Sequence, residues 1–189
     1  MSQLRAPPTS KQNTSCIHRH QFDGKFGGDV STIGSWLPAY RPRAKVKEVA
    51  ASKFYWFDPG GLNATAGAFD QPLPEDWNGV LLEHLLFNEL QSYLHYADIK
   101  GSLGYWSTPT GSEVDFVFWH GKKVVAIEVK HASTYRAEHR KGLAALSAAM
   151  PAATYLVYRG KHELRVEGTW VLPVDTFLRR LHAGDILEL

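Results

Sequence analysis

Two short apolar segments that carry charged side chains dominate the hydrophobic pattern of this chain. Residues 113–117 and 125–130 are rich in β-branched and aromatic residues, which predicts two buried strands. Because side chains alternate between the two faces of a strand, Glu128 and Lys130 are predicted to share one face with Ala126. Charged groups on strands this apolar are costly unless they pair or bind a metal ion. The pattern therefore indicates a chemical site within a buried sheet.

An amphipathic helix is predicted upstream of these strands, over residues 80–97. At 100° per residue, its apolar and polar side chains fall on opposite arcs. The apolar arc contains Leu82, Leu86, Leu90, Tyr93, Leu94 and Ala97, and the polar arc contains His84, Asn88, Gln91 and His95. Glu83 falls within the apolar arc. A glutamate there is predicted either to lie at the edge of the core or to point into a polar site formed by the strands.

The remaining segments complete an α/β pattern. Residues 104–107 precede the two charged strands and are predicted to form an antiparallel three-stranded meander with them. A second helix is predicted over residues 135–150, and buried strands over 154–158 and 169–173. Asp175 is predicted to cap a last helix. The order α-β-β-β-α-β indicates a mixed sheet flanked by helices.

The first part of the chain is less regular. Residues 1–33 are polar and show no sustained period, which predicts a disordered or irregular N-terminal arm. Residues 34–78 gain aromatic side chains and include a predicted short buried strand that begins at Lys53. Residues 79–189 are predicted to form the main core.

Composition narrows the class of protein. The 189 residues are 44% hydrophobic and 21% charged, which is typical of one globular domain. No apolar run reaches the about 18 residues that a membrane span needs, so we expect no membrane partner. The single cysteine, Cys16, excludes an internal disulfide, and the N-terminus has no apolar signal-like stretch, so we expect a cytoplasmic protein. The net charge of +2 favours no class of partner.

Several motifs together resemble a known family. They are Leu-Pro-Ala-Tyr at 37–40, Lys-Phe-Tyr-Trp-Phe-Asp-Pro-Gly at 53–60, Gly79 with Glu83 and Glu89-Leu90, Tyr105-Trp106, Gly-x-Glu-Val-Asp-Phe at 111–116, and Ile-Glu-Val-Lys at 127–130. The combination resembles the domain of unknown function 4143, which is attached to the C-terminus of many prokaryotic AAA-type ATPases. Its acid and acid-x-Lys strands also resemble the PD-(D/E)xK nuclease superfamily. The resemblance implies a restriction-endonuclease-like α-β-β-β-α-β core.

The resemblance implies a catalytic site of four residues. Residue by residue, the superfamily's helix glutamate matches Glu83, its first strand acid matches Asp115, and its acid-x-Lys matches Glu128 and Lys130. Asp115 and Glu128 would then hold one Mg²⁺ or Mn²⁺ ion, since Mg²⁺ prefers oxygen ligands, and Glu83 would bind a second ion directly or through water. A bound ion lowers the pKa of a coordinated water, and Lys130 would orient that nucleophile or neutralise the transition state. The implied activity is hydrolysis of phosphodiesters in DNA.

Basic and aromatic residues near the predicted site are candidates for contact with nucleic acid. Arg136, Arg140 and Lys141 are predicted either to bind phosphates or to be simply solvated. Tyr105 and Trp106 could stack on bases, although aromatic side chains on a strand usually belong to the core.

The motifs that the sequence lacks argue against several other enzyme classes. The sequence has no Gly-x4-Gly-Lys-Ser/Thr loop, so it is not expected to hydrolyse ATP by that route. It also lacks the Gly-x-Ser-x-Gly elbow of serine hydrolases and the His-Glu-x-x-His pattern of zinc proteases. A non-catalytic module that binds nucleic acid, another protein or a separate ATPase subunit is the alternative to a nuclease. A truncated remnant of a longer ATPase is a further alternative.

Overall fold

A computed structural model describes residues 34–41, 51–58 and 77–187. The elements in these ranges are β1 (Gly34–Leu37), β2 (Lys53–Trp56), α1 (Trp77–Tyr96), β3 (Ser102–Ser107), β4 (Glu113–His120), β5 (Lys123–Lys130), a 3-10 helix (Ala137–Arg140), α2 (Lys141–Ala149), β6 (Ala153–Tyr158), β7 (Leu164–Val166), β8 (Thr169–Pro173) and α3 (Val174–His182). None of the helices in these ranges is long and apolar enough to cross a membrane. The predicted arm, residues 1–33, lies outside the described residues.

Six of the strands form one mixed sheet in the order β3-β4-β5-β6-β8-β7. β3, β4 and β5 are an antiparallel meander, as the sequence predicts. β5, β6 and β8 run parallel, with α2 in the crossover between β5 and β6. β7 is an antiparallel edge strand beside β8. The predicted α/β class, with a mixed sheet flanked by helices, is therefore confirmed.

Helices cover both faces of the sheet, so its central strands are buried on both sides. One face packs against α1 and α3 through Leu86, Phe87, Leu90, Phe177 and Leu181. The other face packs against α2 through Leu143 and Leu146. In β5, Val125 and Ile127 face α1 while Ala126 faces α2, which is the alternation that the sequence predicts. This burial explains why the strand is an almost continuous apolar run.

A separate two-stranded hairpin, β1–β2, packs beside the large sheet. The backbone after β1 pairs with β3: the Tyr40 amide donates to the Tyr105 carbonyl at 2.6 Å, and the Tyr105 amide donates to the Pro38 carbonyl at 3.0 Å. A Cβ on Gly104 would lie 2.7 Å from the Pro38 carbonyl oxygen, so this close approach requires glycine. The hairpin also packs on α1, where the Tyr55 ring stacks on Phe87 at 4.2 Å.

The boundaries of two helices differ from the prediction. The helix expected over residues 135–150 is α-helical only over Lys141–Ala149, because Ala137–Arg140 form a 3-10 helix before it, a common arrangement at helix N-termini. Asp175 does not cap the last helix. That helix begins at Val174, and the Asp175 carboxylate lies in its first turn, 3.0 Å from Arg179.

The polar arc predicted for the first helix is wrong at His84. Its side chain is only 3% exposed, with Nδ1 donating to the Val80 carbonyl at 2.9 Å and the Tyr55 ring 5.0 Å away. A single apolar arc assumes that only one side of the helix is covered. Because the β1–β2 hairpin covers a second side of α1, this histidine becomes buried. Ala97, expected on the apolar arc, follows the end of α1 and is exposed.

Strand β7 was not predicted from the sequence. It has three residues, and its two-residue turn into β8 consists of Glu167 and Gly168, with φ of 46° and 81°. Two positive φ angles in a two-residue hairpin loop are typical of a type I′ turn, which usually contains asparagine or aspartate before glycine. Glu-Gly is a weaker signal, so the hairpin is not recognisable from the sequence.

Candidate active site

Asp115 lies where β4 and β5 separate. The ladder between the two strands ends at the pair Phe116 and Ile127. Beyond this pair, the Val129 amide of β5 donates to Asp115 Oδ2 at 2.8 Å. The Asp115 side chain therefore accepts this hydrogen bond in place of a backbone carbonyl of β4. On its other side, β4 has one extra residue between Val114 and Val117 relative to β3. Such a bulge re-aims side chains locally, and here it accompanies the turn of the Asp115 carboxylate toward β5.

Glu128 and Lys130 are neighbours on β5 and form an ion pair. The Lys130 side chain is 35% exposed, whereas Glu128 is buried. Glu128 Oε2 has no hydrogen-bond partner among the described residues. This oxygen would be 3.5 Å from a Cβ on Gly142, at the start of α2, and that Cβ would clash with the Glu113 carbonyl. The glycine thus lets α2 close over the pocket.

Two further charged residues of the pocket come from outside these strands: Lys53 of β2 and Glu83 of α1. The Lys53 ammonium pairs with Glu113 and lies 3.6 Å from Glu83 Oε1 and 3.9 Å from Asp115 Oδ1. Tyr55, two residues along β2, donates its hydroxyl hydrogen to Glu83. The helix glutamate and the strand aspartate therefore face the same buried ammonium.

The position of Lys53 is fixed by the β1–β2 hairpin. The Tyr105 hydroxyl donates to the Ala51 carbonyl at 2.6 Å, and the Tyr105 ring centroid is 5.1 Å from Lys53 Nζ. On the α1 side, Asn88 donates its amide hydrogens to the Trp56 and Phe57 carbonyls at 3.4 and 3.0 Å. Because both ends of β2 are held in this way, Lys53 remains at the pocket although it is far in sequence from the other charged residues.

The pKa values of these groups are shifted by burial and crowding. Burial and the Glu83 carboxylate raise the pKa of Asp115 to about 6, against the opposing effect of the two lysines. Burial and the Asp115 carboxylate raise the pKa of Glu128 to about 8. Burial alone would lower the pKa of Lys130, but the adjacent carboxylates of Glu128 and Asp115 outweigh it and raise that pKa. The carboxyl groups of the pocket therefore resist joint ionisation, and a nearby cation would favour their charged forms.

The family model for the domain of unknown function DUF4143 matches residues 78–177, which is more than half of the chain. The chain belongs to the DUF4143 family. The part that matches DUF4143 contains α1 and β3 to β8, and hence Glu83, Asp115, Glu128 and Lys130. No match was found among curated proteins.

The four residues predicted as the catalytic site come together in the structure, although their roles stay predictions. In addition, the pocket contains three residues that the sequence analysis did not select, Lys53, Tyr55 and Glu113. Lys53 and Tyr55 lie outside the segment that matches DUF4143. A lysine at the start of a short strand that is otherwise aromatic was the available signal, by the same argument that singled out Glu128.

The carboxylates differ in how well they suit a metal ion. Among the residues that the structure describes, no group of three or more Asp, Glu, His or Cys side chains is placed to hold a metal ion. Asp115 and Glu128 lie on neighbouring strands, and the buried Glu128 Oε2 accepts no hydrogen bond from any residue in the described ranges. Two carboxylates suit Mg²⁺, which usually keeps several waters. Glu83 instead contacts Tyr55 and Lys53.

The residues predicted to contact nucleic acid are distributed around α2. Arg140 forms an ion pair with Glu167, and its side chain is largely buried. Arg136 lies 3.6 Å from Glu138 and is exposed, as is Lys141. Arg136 and Lys141 are therefore more accessible to a phosphate than Arg140. Tyr105 and Trp106 are buried core residues, so neither presents a face on which a base could stack.

The raised pKa values predict how stability changes with pH in EDTA. A carboxyl group whose pKa is higher in the folded state contributes stability at low pH and loses it as the pH rises through the folded value. For Glu128 this loss extends from about pH 4 to about pH 8. We therefore expect Glu128→Gln to be more stable than wild type at pH 8 and similar at pH 4. Urea unfolding at several pH values measures the difference, and a difference independent of pH would contradict it.

Proposed function

We propose that the chain is a metal-dependent phosphodiesterase of the PD-(D/E)xK type that acts on DNA. The supporting observation is that Glu83, Asp115 and Glu128, from α1, β4 and β5, lie at one buried pocket with Lys130 at its edge. Burying this many ionisable groups together destabilises the fold, so their presence favours a chemical role over a packing role.

Asp115 and Glu128 are the residues that would hold the ion. A bound Mg²⁺ or Mn²⁺ would lower the pKa of a coordinated water and offset the negative charge of the phosphate. The Val129 amide, which donates to Asp115 Oδ2, orients that carboxylate. Within the described part of the chain, no group donates a hydrogen bond to Glu128 Oε2, which leaves this oxygen available to the ion.

Lys130 is the residue that would contact the substrate. It is the more accessible member of its ion pair, 35% exposed against 7% for the Glu128 side chain. Its ammonium would donate a hydrogen bond to a phosphate oxygen or orient the attacking water. The bond from the water oxygen to phosphorus forms as the bond from phosphorus to the leaving oxygen breaks, and the leaving oxygen takes up the proton that the water releases. A donor placed where negative charge develops lowers the barrier to this exchange.

The test is cleavage of single-stranded, duplex and branched DNA by the purified chain with Mn²⁺. We expect wild type to cleave at least one of these substrates and Glu128→Gln to be about 100-fold slower or worse, the order seen when a charge-stabilising group is removed. Glu163→Gln is the matched control, because Glu163 is an exposed glutamate that pairs with Arg180. It should retain the wild-type rate. Equal rates for wild type and Glu128→Gln would contradict the proposal.

A non-catalytic role is the second candidate, and one observation favours it. Lys53 already places a positive charge among the carboxylates. In that case the same fold would bind DNA, another protein or a separate ATPase subunit without cleavage. Absence of Mn²⁺-dependent products from all three substrates would support this candidate.

A further inference from the structure

Lys53 is the most deeply buried charged side chain that the described residues show, at 2% exposure. Around its ammonium lie the Glu113 carboxylate, Glu83 at 3.6 Å and Asp115 at 3.9 Å. No substrate could reach it in this position. Its effect on the pocket must therefore act through the carboxylates that it contacts.

The charges of the pocket suggest what that effect is. Two ammonium groups, Lys53 and Lys130, face four carboxylates, those of Glu83, Glu113, Asp115 and Glu128. A bound cation favours the ionised forms of Asp115 and Glu128, and with all six groups ionised the formal charge is −2. One divalent cation would balance that charge, whereas two would leave an excess of positive charge in a buried pocket, which is costly.

The contacts of Glu83 lead to the same conclusion. Its Oε1 atom accepts a hydrogen bond from Tyr55 and lies 3.6 Å from Lys53 Nζ. These contacts hold Glu83 at the ammonium, on the side of Asp115 that Lys53 faces. Asp115 Oδ2 points instead to the Val129 amide on β5, the strand that carries Glu128.

We propose that the Lys53 ammonium takes the place of a second divalent cation and makes this a site for a single metal ion. The inference rests on the proposed function for the ion at Asp115 and Glu128. Lys53 is then a positioning residue, which holds Glu83, Glu113 and Asp115 through charge without contact with the substrate. It comes from the β1–β2 hairpin, outside the segment that matches DUF4143, so the hairpin completes the site.

The test counts the Mn²⁺ ions bound at saturation, from free Mn²⁺ measured by electron paramagnetic resonance. We expect one ion per chain for wild type and one for Lys53→Arg, which keeps the charge. For Lys53→Met we expect one ion more than wild type, because Glu83, Glu113 and Asp115 lose their cation. Two ions in wild type, or the same count in wild type and Lys53→Met, would overturn the inference.

The result separates this inference from the proposed function. No ion in wild type and one in Lys53→Met would support the role of Lys53 while contradicting the metal-dependent phosphodiesterase. One ion in both proteins would contradict the role of Lys53 while supporting the metal-dependent phosphodiesterase. Circular dichroism checks that each variant is folded. If Lys53→Met does not fold, Lys53→Gln takes its place, since its amide still donates hydrogen bonds to the carboxylates, and the same counts apply.

Discussion

Replacing Lys53 by methionine is expected to lower the free energy of unfolding by about 3–5 kcal/mol in EDTA, the usual cost of removing one partner from a buried ion pair. The change leaves the carboxylates of Glu113, Glu83 and Asp115 around an apolar side chain. These carboxylates raise the pKa of Lys53 despite burial, which lowers it, so the charged lysine is a net stabilising group. Urea unfolding followed by circular dichroism measures the loss.

Lys123→Met is the matched control for this prediction. Lys123 is an exposed lysine at the start of β5, and a surface substitution of this kind usually changes stability by no more than about 0.5 kcal/mol. Saturating Mn²⁺ should restore part of the stability of Lys53→Met but have less effect on the control. Equal losses for the two variants would show that the buried ammonium does not stabilise the pocket.

The second large effect is expected for Lys130→Ala, which should slow phosphodiester cleavage by about 100- to 1,000-fold, as when one stabilising donor is lost. Folding should be retained, because the Lys130 side chain is 35% exposed and its pair with Glu128 lies at the edge of the pocket. Cleavage rates at saturating Mn²⁺ and far-ultraviolet circular dichroism measure the two properties separately.

Lys122→Ala provides the control for Lys130→Ala, since Lys122 is exposed in the turn between β4 and β5. It removes the same charge from the chain without changing the pocket, and its cleavage rate should match wild type. A loss of secondary structure in Lys130→Ala would assign the residue a structural role, and an unchanged rate would remove it from the proposed mechanism.

Experiments on the pocket need the β1–β2 hairpin as well as the segment that matches DUF4143. The DUF4143 match begins at residue 78, whereas Lys53 and Tyr55 lie before it and contact Glu83. The pocket therefore depends on β2 as well as on the matched segment. Measurements on the full chain retain these contacts.

Much of the fold could be predicted because its strands have strong local signals. β5 and β6 are runs of β-branched and aromatic residues, and their positions were predicted to within about two residues. The 3-10 helix before α2 and the strand β7 were not predicted. Both are short, and their conformations depend on neighbouring elements more than on intrinsic preference.

The site was predictable in part, for a similar reason. Strand alternation placed Glu128 and Lys130 on one face, and the helical period placed Glu83 on the apolar side of α1. Lys53 and Glu113 were missed, because neither period nor composition identifies which distant carboxylate a buried lysine will contact.

By itself, the sequence determined the α/β class, the positions of the central strands and the presence of ionisable groups on buried faces, since periodicity and side-chain preference are local properties. The tertiary structure alone decided that the β1–β2 hairpin packs on α1, that His84 is buried beneath it, and that Lys53 enters a pocket whose acids are at least 30 residues away. These contacts arise from packing between distant segments, and the cost of burying unpaired charge selects the arrangement in which the ammonium and the carboxylates meet.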